Sequence, residues 1–405
     1  MKGIIKSLAL SAEKYLTSVL IALSYFLFAQ ELPAEKFGEY STVESLAIIF
    51  TFTCLMSLDS IAFDTSLKSE EKSEEVFTTA FFVKLLSALV GYVLFNVVSY
   101  YVFDFSIYLT IFIGSIIVFK VGTILQISFV AKDKILETVL ASLLSTLLSL
   151  ISKIIVIYSN VESIYPIFFL CDAFFIFLIF TGKFSIFKKS SQFKWDTAME
   201  LINKSKYFIL SSFAILSFGK IDQVIISKMI NFEMVANYSL AMKVIGAFVL
   251  VSNAFNLIFA REVSLVSSSK GKELSNRIRE MMLFTIFIGS FLSIVNYYLS
   301  PKIIEYFYGD KYSYAISLVE LSSPLIFLIF FSSSVGKILI TKGLGKFALV
   351  RNVIGLLSVV ILSVLFIPIF GVAGAVYASI IAWIMSSIVL VFIYKETRVI
   401  FLSLL

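Results

Sequence analysis

The chain alternates long apolar runs with short polar intervals. Crossing a bilayer as a helix takes about 20 mainly apolar residues. On that rule about twelve segments qualify, at 13–31, 39–61, 77–103, 107–131, 136–158, 163–183, 206–229, 236–260, 280–300, 314–341, 349–368 and 371–394. No connection between them is large enough for an independent domain. The longest polar one, Lys183 to Lys206, separates two near-equal halves of about six spans each. The pattern predicts an all-α integral membrane protein with a six-helix bundle over 1–183, a cytoplasmic connection over 184–205 and a second bundle over 206–405.

Composition supports the bilayer. Hydrophobic residues make up 59% of the chain and charged ones 15%, against about 25% charged in a soluble domain. The sequence has 43 Phe and no His, which excludes zinc sites built on histidine and His-based catalysis or proton relays. Its two cysteines, Cys54 and Cys171, fall within apolar runs and read as small hydrophobes, with no disulfide framework and no metal site. Lys2, Lys6 and Lys14 precede an apolar run to Ala29, as in a signal peptide. Phe28-Ala29-Gln30 is a poor cleavage site, so the run reads as a retained first span. There is no P-loop, no nucleophile elbow and no metal-ligand cluster, so the chain reads as a non-enzyme without a cofactor.

Lysine and arginine set the orientation. With the N-terminus inside, about 23 of the 33 basic residues fall in cytoplasmic segments and about four outside. The 183–206 connection alone carries Lys183, Lys188, Lys189, Lys194, Lys204 and Lys206. Both termini are then cytoplasmic. Six spans per half give both halves the same orientation, with a pseudo-twofold along the membrane normal. The basic loops read as topological markers, and the net charge of +6 calls for no nucleic acid.

Prolines are few. Pro33 and Pro301 are placed in external loops, Pro368 at a span end, and Pro166 and Pro324 within spans six and ten. Pro324, near Gly336 in an unusually long segment, makes span ten the hinge candidate, with a static kink as the equal alternative. Gly371, Gly374, Ala375, Ala378 and Ala382 form a small-residue stripe suited to close packing.

The depth of each ionisable group decides what it says. Lys84 and Lys337 lie near cytoplasmic span ends, and Lys153 and Lys243 toward periplasmic ends; all four can snorkel, with a water-filled interior as the second reading. Glu44 and Glu320 lie about a turn or two inside the external surface, and Asp59 near the internal one. Lys120, Asp172, Lys220 and Asp222 are deeper, where a charge costs on the order of 2.5–3.5 kcal/mol on insertion scales. Each must face a partner or a hydrated cavity. On span seven, Ser217, Lys220, Gln223 and Ser227 recur at helical spacing and read as one polar stripe lining a cavity. Asp222 points about 200° away from Lys220, so it is assigned to a neighbouring helix or an ion pair within its half. Lys120 and Asp172 share a half and carry opposite charge, which allows a structural ion pair; an isolated ammonium facing a cavity would instead attract an anion. The substrate-binding candidates are therefore Lys120, Lys220, Gln223, Ser217, Lys153 and Lys243. The coupling or ion-pair candidates are Asp172, Asp222, Glu44 and Glu320.

The halves also echo each other. Phe37-Gly38-Glu39-Tyr40-Ser41-Thr42-Val43-Glu44-Ser45-Leu46-Ala47 is similar to Val235-Ala236-Asn237-Tyr238-Ser239-Leu240-Ala241-Met242-Lys243, which points to a duplicated unit. Three stretches carry a wider resemblance: Leu32-Pro33-Ala34-Glu35-Lys36-Phe37-Gly38-Glu39-Tyr40-Ser41, Lys220-Ile221-Asp222 with Tyr238-Ser239-Leu240-Ala241, and Tyr308-Gly309-Asp310-Lys311-Tyr312 followed by Ile367-Pro368-Ile369-Phe370-Gly371-Val372-Ala373-Gly374-Ala375. In order and spacing they resemble the Wzx-type polysaccharide flippases of the multidrug/oligosaccharidyl-lipid/polysaccharide exporter (MATE-like) superfamily.

That resemblance implies two six-helix bundles facing a central cavity. It implies a bacterial inner-membrane flippase that moves an undecaprenyl-pyrophosphate-linked oligosaccharide outward for O-antigen, lipopolysaccharide or other surface polysaccharide synthesis. The lipid tail would stay in the bilayer while the head group crosses by alternating access. A polysaccharide polymerase and a chain-length regulator are the implied partners, beside membrane lipid. The first span has no aspartate, so proton or sodium coupling stays open. Lipid II flippases of the superfamily have extra spans and an arginine-rich cavity; here every arginine is read as lying in a loop, which argues against that branch. A MATE-type multidrug exporter is the alternative. A membrane glycosyltransferase is disfavoured because the loops are too short for one.

Overall fold

The computed structural model describes the backbone of residues 2–55, 57–68, 72–159, 161–183, 193–266, 272–341, 345–389 and 398. Part of the 184–205 connection, residues 184–192, and the side chain of Lys337 lie outside the described residues. No strand occurs among those described. In hydrocarbon every backbone N–H and C=O must find a partner within its own segment, and a run of Phe, Leu, Ile and Val meets that demand as a helix.

The first half contains α1 (Lys2–Glu31), α2 (Ala34–Phe50), α3 (Ser57–Lys68), α4 (Ser73–Tyr101), α5 (Ile107–Gly114), α6 (Ile116–Phe119), α7 (Gly122–Ala131), α8 (Ile135–Tyr158) and α9 (Ile167–Lys183). The second contains α10 (Trp195–Phe218), α11 (Ile221–Met229), α12 (Phe232–Val266), α13 (Lys272–Tyr308), α14 (Ser313–Thr341), α15 (Gly345–Phe370) and α16 (Val372–Ile384). Among the described residues nine helical stretches are long and apolar enough to cross a membrane, or ten if the pair Phe208–Phe218 and Ile221–Met229, bent by 44°, is one span. Two features separate this from the twelve segments read in the sequence. Helix α9 has only 17 residues, because it begins after Pro166 rather than running through it. The stretch Arg279–Gly336 counts once but holds two helices, α13 and α14, which meet at the turn Gly309–Tyr312.

Pro301 corrects the sequence reading in the opposite sense. It lies inside α13, not in a loop.

The chain forms two compact units. One comprises Met1–Glu31 and Val43–Leu216, the other Leu32–Thr42 and Ser217–Leu405. The division thus falls at 216–217, beyond the polar connection, and the first turns of α2 group with the second unit. Gly38 shows why. A Cβ there would lie 1.7 Å from the carbonyl oxygen of Phe232, so only glycine lets α2 meet the start of α12 this closely.

Each unit has a buried core and an apolar outer surface. In the first, Phe28 stacks on Phe168 with centroids 4.1 Å apart, and Tyr25 meets Phe168 edge-on. On α4, Leu86, Val90, Val93, Leu94 and Val97 are exposed at helical spacing, as a hydrocarbon-facing row should be. In the second unit, Phe218, Val359 and Ala382 form a buried cluster with Trp383 and Ile221 at its edge. The small-residue stripe packs as its composition demands: Ala375, Ala378 and Ala382 are fully buried, and a Cβ on Gly374 would lie 2.4 Å from the Phe366 carbonyl oxygen. Gly371 turns the chain between α15 and α16 at φ +60°.

Candidate functional site

The two deepest lysines both sit where a helix breaks. Between α5 and α7 the chain shortens into the four-residue α6 and then turns at Lys120. Side chains there compete with the helical ladder: Ser115 Oγ donates to the Phe112 carbonyl at 2.6 Å, and Thr123 Oγ1 lies 3.0 Å from the Lys120 carbonyl. Gly122 completes the break, since a Cβ there would lie 2.8 Å from Cα of Phe177 on α9. Lys220 closes a second break. α10 stops at Phe218, pinned by Trp383 with centroids 4.4 Å apart, and α11 restarts at Ile221. The amide of Lys220 donates to the Ser217 carbonyl at 3.1 Å. Lys120 and Lys220 are half-buried, and neither ammonium makes an ion pair or hydrogen bond among the described residues.

The break corrects the span-seven stripe. Ser217 lies before the bend; Gln223 and Ser227 lie after it. Ser217 is buried with an unbonded hydroxyl, Gln223 is buried, and Ser227 Oγ turns back to the Val224 carbonyl at 2.8 Å. A straight-helix projection carried across a bend of this size no longer tells which residues share a face.

The other lysines are placed differently from the sequence reading. Lys153 does not snorkel. It is fully buried and pairs with Asp172 at 2.5 Å, lies 3.4 Å from Ser24 Oγ, and sits 4.8 Å over the Phe168 ring and 5.5 Å over that of Tyr25. Ser149 Oγ donates to the second Asp172 oxygen at 2.5 Å. Asp172 is therefore the partner of Lys153, not of Lys120. Lys84 is likewise fully buried and paired with Asp59, while Thr123 Oγ1 donates to the other Asp59 oxygen at 2.8 Å. Both acids have a lysine of their own, and neither serves Lys120. A charge this far from bulk water is stable only with such a partner, and helix packing rather than spacing decides which one is in reach. Lys243 is half-buried on α12 and has a partner there.

Two carboxylates are held by tyrosines. Tyr25 on α1 donates to Glu44 on α2. Tyr238 on α12 donates to Asp222 on α11, whose other oxygen accepts the Gln223 amide at 2.8 Å. Asp222 thus bonds a neighbouring helix, one of the two roles its helical phase allowed. Glu320 is half-buried on α14 and lines a groove of about 810 Å³ with Ser293, Tyr297, Tyr298, Leu321 and Pro324. Sequence reasoning missed the tyrosines and Thr123, because tyrosine and threonine are ordinary in an apolar helix and only packing selects the ones that bond an acid. It also misplaced Arg351, which lies on α15, buried, and not in a loop. No group of three or more potential metal ligands occurs among the described residues, and both cysteines are buried and free.

The comparisons with known proteins agree with this architecture. A family model described as "Polysaccharide biosynthesis protein" matches residues 27–317. No curated protein sequence matches the chain. Among solved structures, an inward-facing multidrug resistance MATE family transporter of the MOP superfamily superposes with a TM-score of 0.75 at 13% identity, covering 95% of each chain. An outward-facing transporter of that family gives 0.68 at 12% identity, covering 98% of this chain and 96% of the other. The lipid II flippase MurJ in an inward closed conformation gives 0.67 at 18% identity, covering 99% of this chain and 91% of its own. At such identities the structures establish a shared fold, and the family match covers well over half of the sequence; the chain is a multi-pass, MATE-like member of the polysaccharide biosynthesis protein family.

Proposed function

We propose that this protein is a flippase for an undecaprenyl-pyrophosphate-linked oligosaccharide, carrying it from the cytoplasmic to the periplasmic leaflet of a bacterial inner membrane for O-antigen or related surface polysaccharide synthesis. The observation that carries this reading is that two lysines at helix breaks, Lys120 in one unit and Lys220 in the other, make no ion pair or hydrogen bond among the described residues. Membrane proteins pair buried charges unless function needs one open, and this chain pairs Lys84 and Lys153. A pyrophosphate offers oxyanions at which such a lysine can act as a point charge. In this reading Ser217, Gln223 and Lys243 are further substrate contacts of the second unit. Lys153 is reassigned from substrate contact to the frame of its unit. Both termini are cytoplasmic in this reading, the orientation that the lysine distribution favours. A polymerase and a chain-length regulator would take up the exported unit. Asp172, Asp222, Glu44 and Glu320 are the groups through which a proton or sodium gradient would act.

The test is Lys120→Ala combined with Lys220→Ala in a host lacking its own flippase. The double variant should reach the membrane at wild-type level and lose long-chain surface polysaccharide. Full-length export by that variant ends the cationic-passage reading. A multidrug exporter would prefer uncompensated acidic groups for cationic drugs, whereas here Asp222 and Asp172 are bonded. Resistance assays in a pump-deficient host separate the two.

A further inference from the structure

Arg351 lies on α15 five residues beyond Lys346, or roughly 7–8 Å along the helix axis. Its side chain is about nine-tenths buried. The one hydrogen bond it makes among the described residues runs from Nη1 to the backbone carbonyl of Ser332 on α14, at 2.8 Å. A guanidinium has five N–H donors and a fixed positive charge. Among the described residues it has a neutral acceptor and no carboxylate. None is near in sequence either, since no Asp or Glu occurs from Leu321 to Lys395. The same stretch supplies the exposed Lys346 on the first turn of α15.

The space for this guanidinium is built into the opposite helix. A Cβ on Gly336 of α14 would stand 3.1 Å from Nη2 of Arg351. An alanine there would press on the fork; glycine leaves it room. One element thus supplies the cation, and the next supplies both a carbonyl to orient it and a gap to hold it. An arginine serving only helix packing would be expected to use its remaining donors on protein groups.

We propose that Arg351 anchors a binding site for the phosphoryl head group of a lipid, between α14 and α15 at the end of the second unit that the lysine pattern assigns to the cytoplasm. A phosphate or pyrophosphate oxygen pair fits the free edge of the guanidinium bidentately and neutralises its charge. Near the start of the span the site is within reach of a lipid phosphate, and exposed Lys346 raises the local concentration of anionic lipid. Two sources share this chemistry: anionic phospholipid of the bilayer and a polyprenyl pyrophosphate carrier. The site belongs to the second unit alone and does not depend on Lys120 or Lys220.

The experiment is native mass spectrometry of the purified protein titrated with dioleoylphosphatidylglycerol, with a short polyprenyl pyrophosphate, and with dioleoylglycerol as a phosphate-free control. The wild type should retain the two phosphoryl lipids and not the diacylglycerol. Arg351→Met should weaken phosphoryl-lipid binding by about tenfold, and Arg351→Lys should recover little of it, because an ammonium cannot fork. Lys346→Met should cost less than about threefold, as a peripheral charge does. Displacement of phosphatidylglycerol by the pyrophosphate identifies the carrier as the source; the reverse identifies the bilayer. If Arg351→Met does not survive purification, Gly336→Ala makes the same comparison by displacing the fork. Wild-type binding by Arg351→Met, or by Gly336→Ala where that variant stands in for it, overturns the proposal. An equal loss in Lys346→Met reduces the effect to a diffuse basic surface and overturns it too. Failure of the Lys120/Lys220 export test leaves this result unaffected.

Discussion

Tyr25 donates its hydroxyl proton to Glu44, and by that bond α1 holds the buried carboxylate of α2. The second unit repeats the arrangement with the partners exchanged: Tyr238 on α12 holds Asp222 on α11. In both, the first two elements of the repeat read from the sequence are tied through one tyrosine and one acid. Both acids are at least nine-tenths buried, and the acid rather than the tyrosine bears the larger desolvation cost.

Removing either hydroxyl leaves a buried carboxylate short of a donor. Tyr25→Phe and Tyr238→Phe should each destabilise the protein by about 1–3 kcal/mol, read as a lowered Tm in detergent. Tyr298→Phe, on a side chain 67% exposed, should leave Tm unchanged. Equal Tm values for all three would show that the hydroxyls hold nothing.

The Lys153–Asp172 pair should break asymmetrically. Lys153 is fully buried and Asp172 is 25% exposed. Asp172→Asn strands an ammonium among aromatic rings; Lys153→Met leaves a carboxylate that is not fully enclosed and keeps Ser149. Removing one partner of a buried pair costs about 3–5 kcal/mol, so Asp172→Asn should fall at the upper end and Lys153→Met below it. The double variant should recover part of the loss. Additive losses in a double-mutant cycle would rule out the pairing.

How far the sequence could be read depends on the scale of the signal. Span positions follow from twenty-residue averages of hydropathy, which no single contact can alter, so the helical, membrane-embedded fold was legible throughout. The Tyr-Ser stretch repeated at two places pointed to a duplicated unit. Charge partners were not legible. Lys153 and Lys120 look alike in sequence, each a lone lysine in an apolar run, yet one pairs with Asp172 and the other has no ion pair among the described residues, because α8 packs against α9 at the level of Asp172. Breaks escaped as well. Gly219-Lys220 and Gly122 carry the break signal only in combination with Trp383 and Phe177, which lie more than fifty residues away. Pro166 and Pro301 were misread for a simpler reason: proline is compatible with the turn before a helix and, near the end of a long one, with its interior.

Glycines separate close packing from mere tolerance. Gly38 has the Phe232 carbonyl where a Cβ would go, whereas a Cβ on Gly246 of α12 meets nothing within 4 Å. Gly38→Ala should lower stability by at least about 1–3 kcal/mol through overpacking of backbone against backbone. Gly246→Ala should be neutral or stabilising by up to about 1 kcal/mol, from helix propensity alone. Thermal melts of the two variants decide this, and a tolerated Gly38→Ala would mean that α2 and α12 are not in contact.

Pro324 is braced from the neighbouring helix. It lacks an N–H, so the Glu320 carbonyl one turn earlier loses its helical donor. The amide of Phe327 donates across to Ser293 Oγ on α13 at 3.1 Å. Asn296 Nδ2, also on α13, donates to the Val319 carbonyl at 3.2 Å and to Ser323 Oγ at 2.8 Å. α14 continues beyond the proline to Thr341. α13 thus holds α14 on both sides of the proline, which favours a fixed segment over the hinge. Ser293→Ala should then cost about 1 kcal/mol in the wild type and clearly less in a Pro324→Ala background, where the ladder can close on itself. Pro324→Ala should keep polysaccharide export within about twofold of wild type. Export lost at unchanged Tm would restore Pro324 as the moving part.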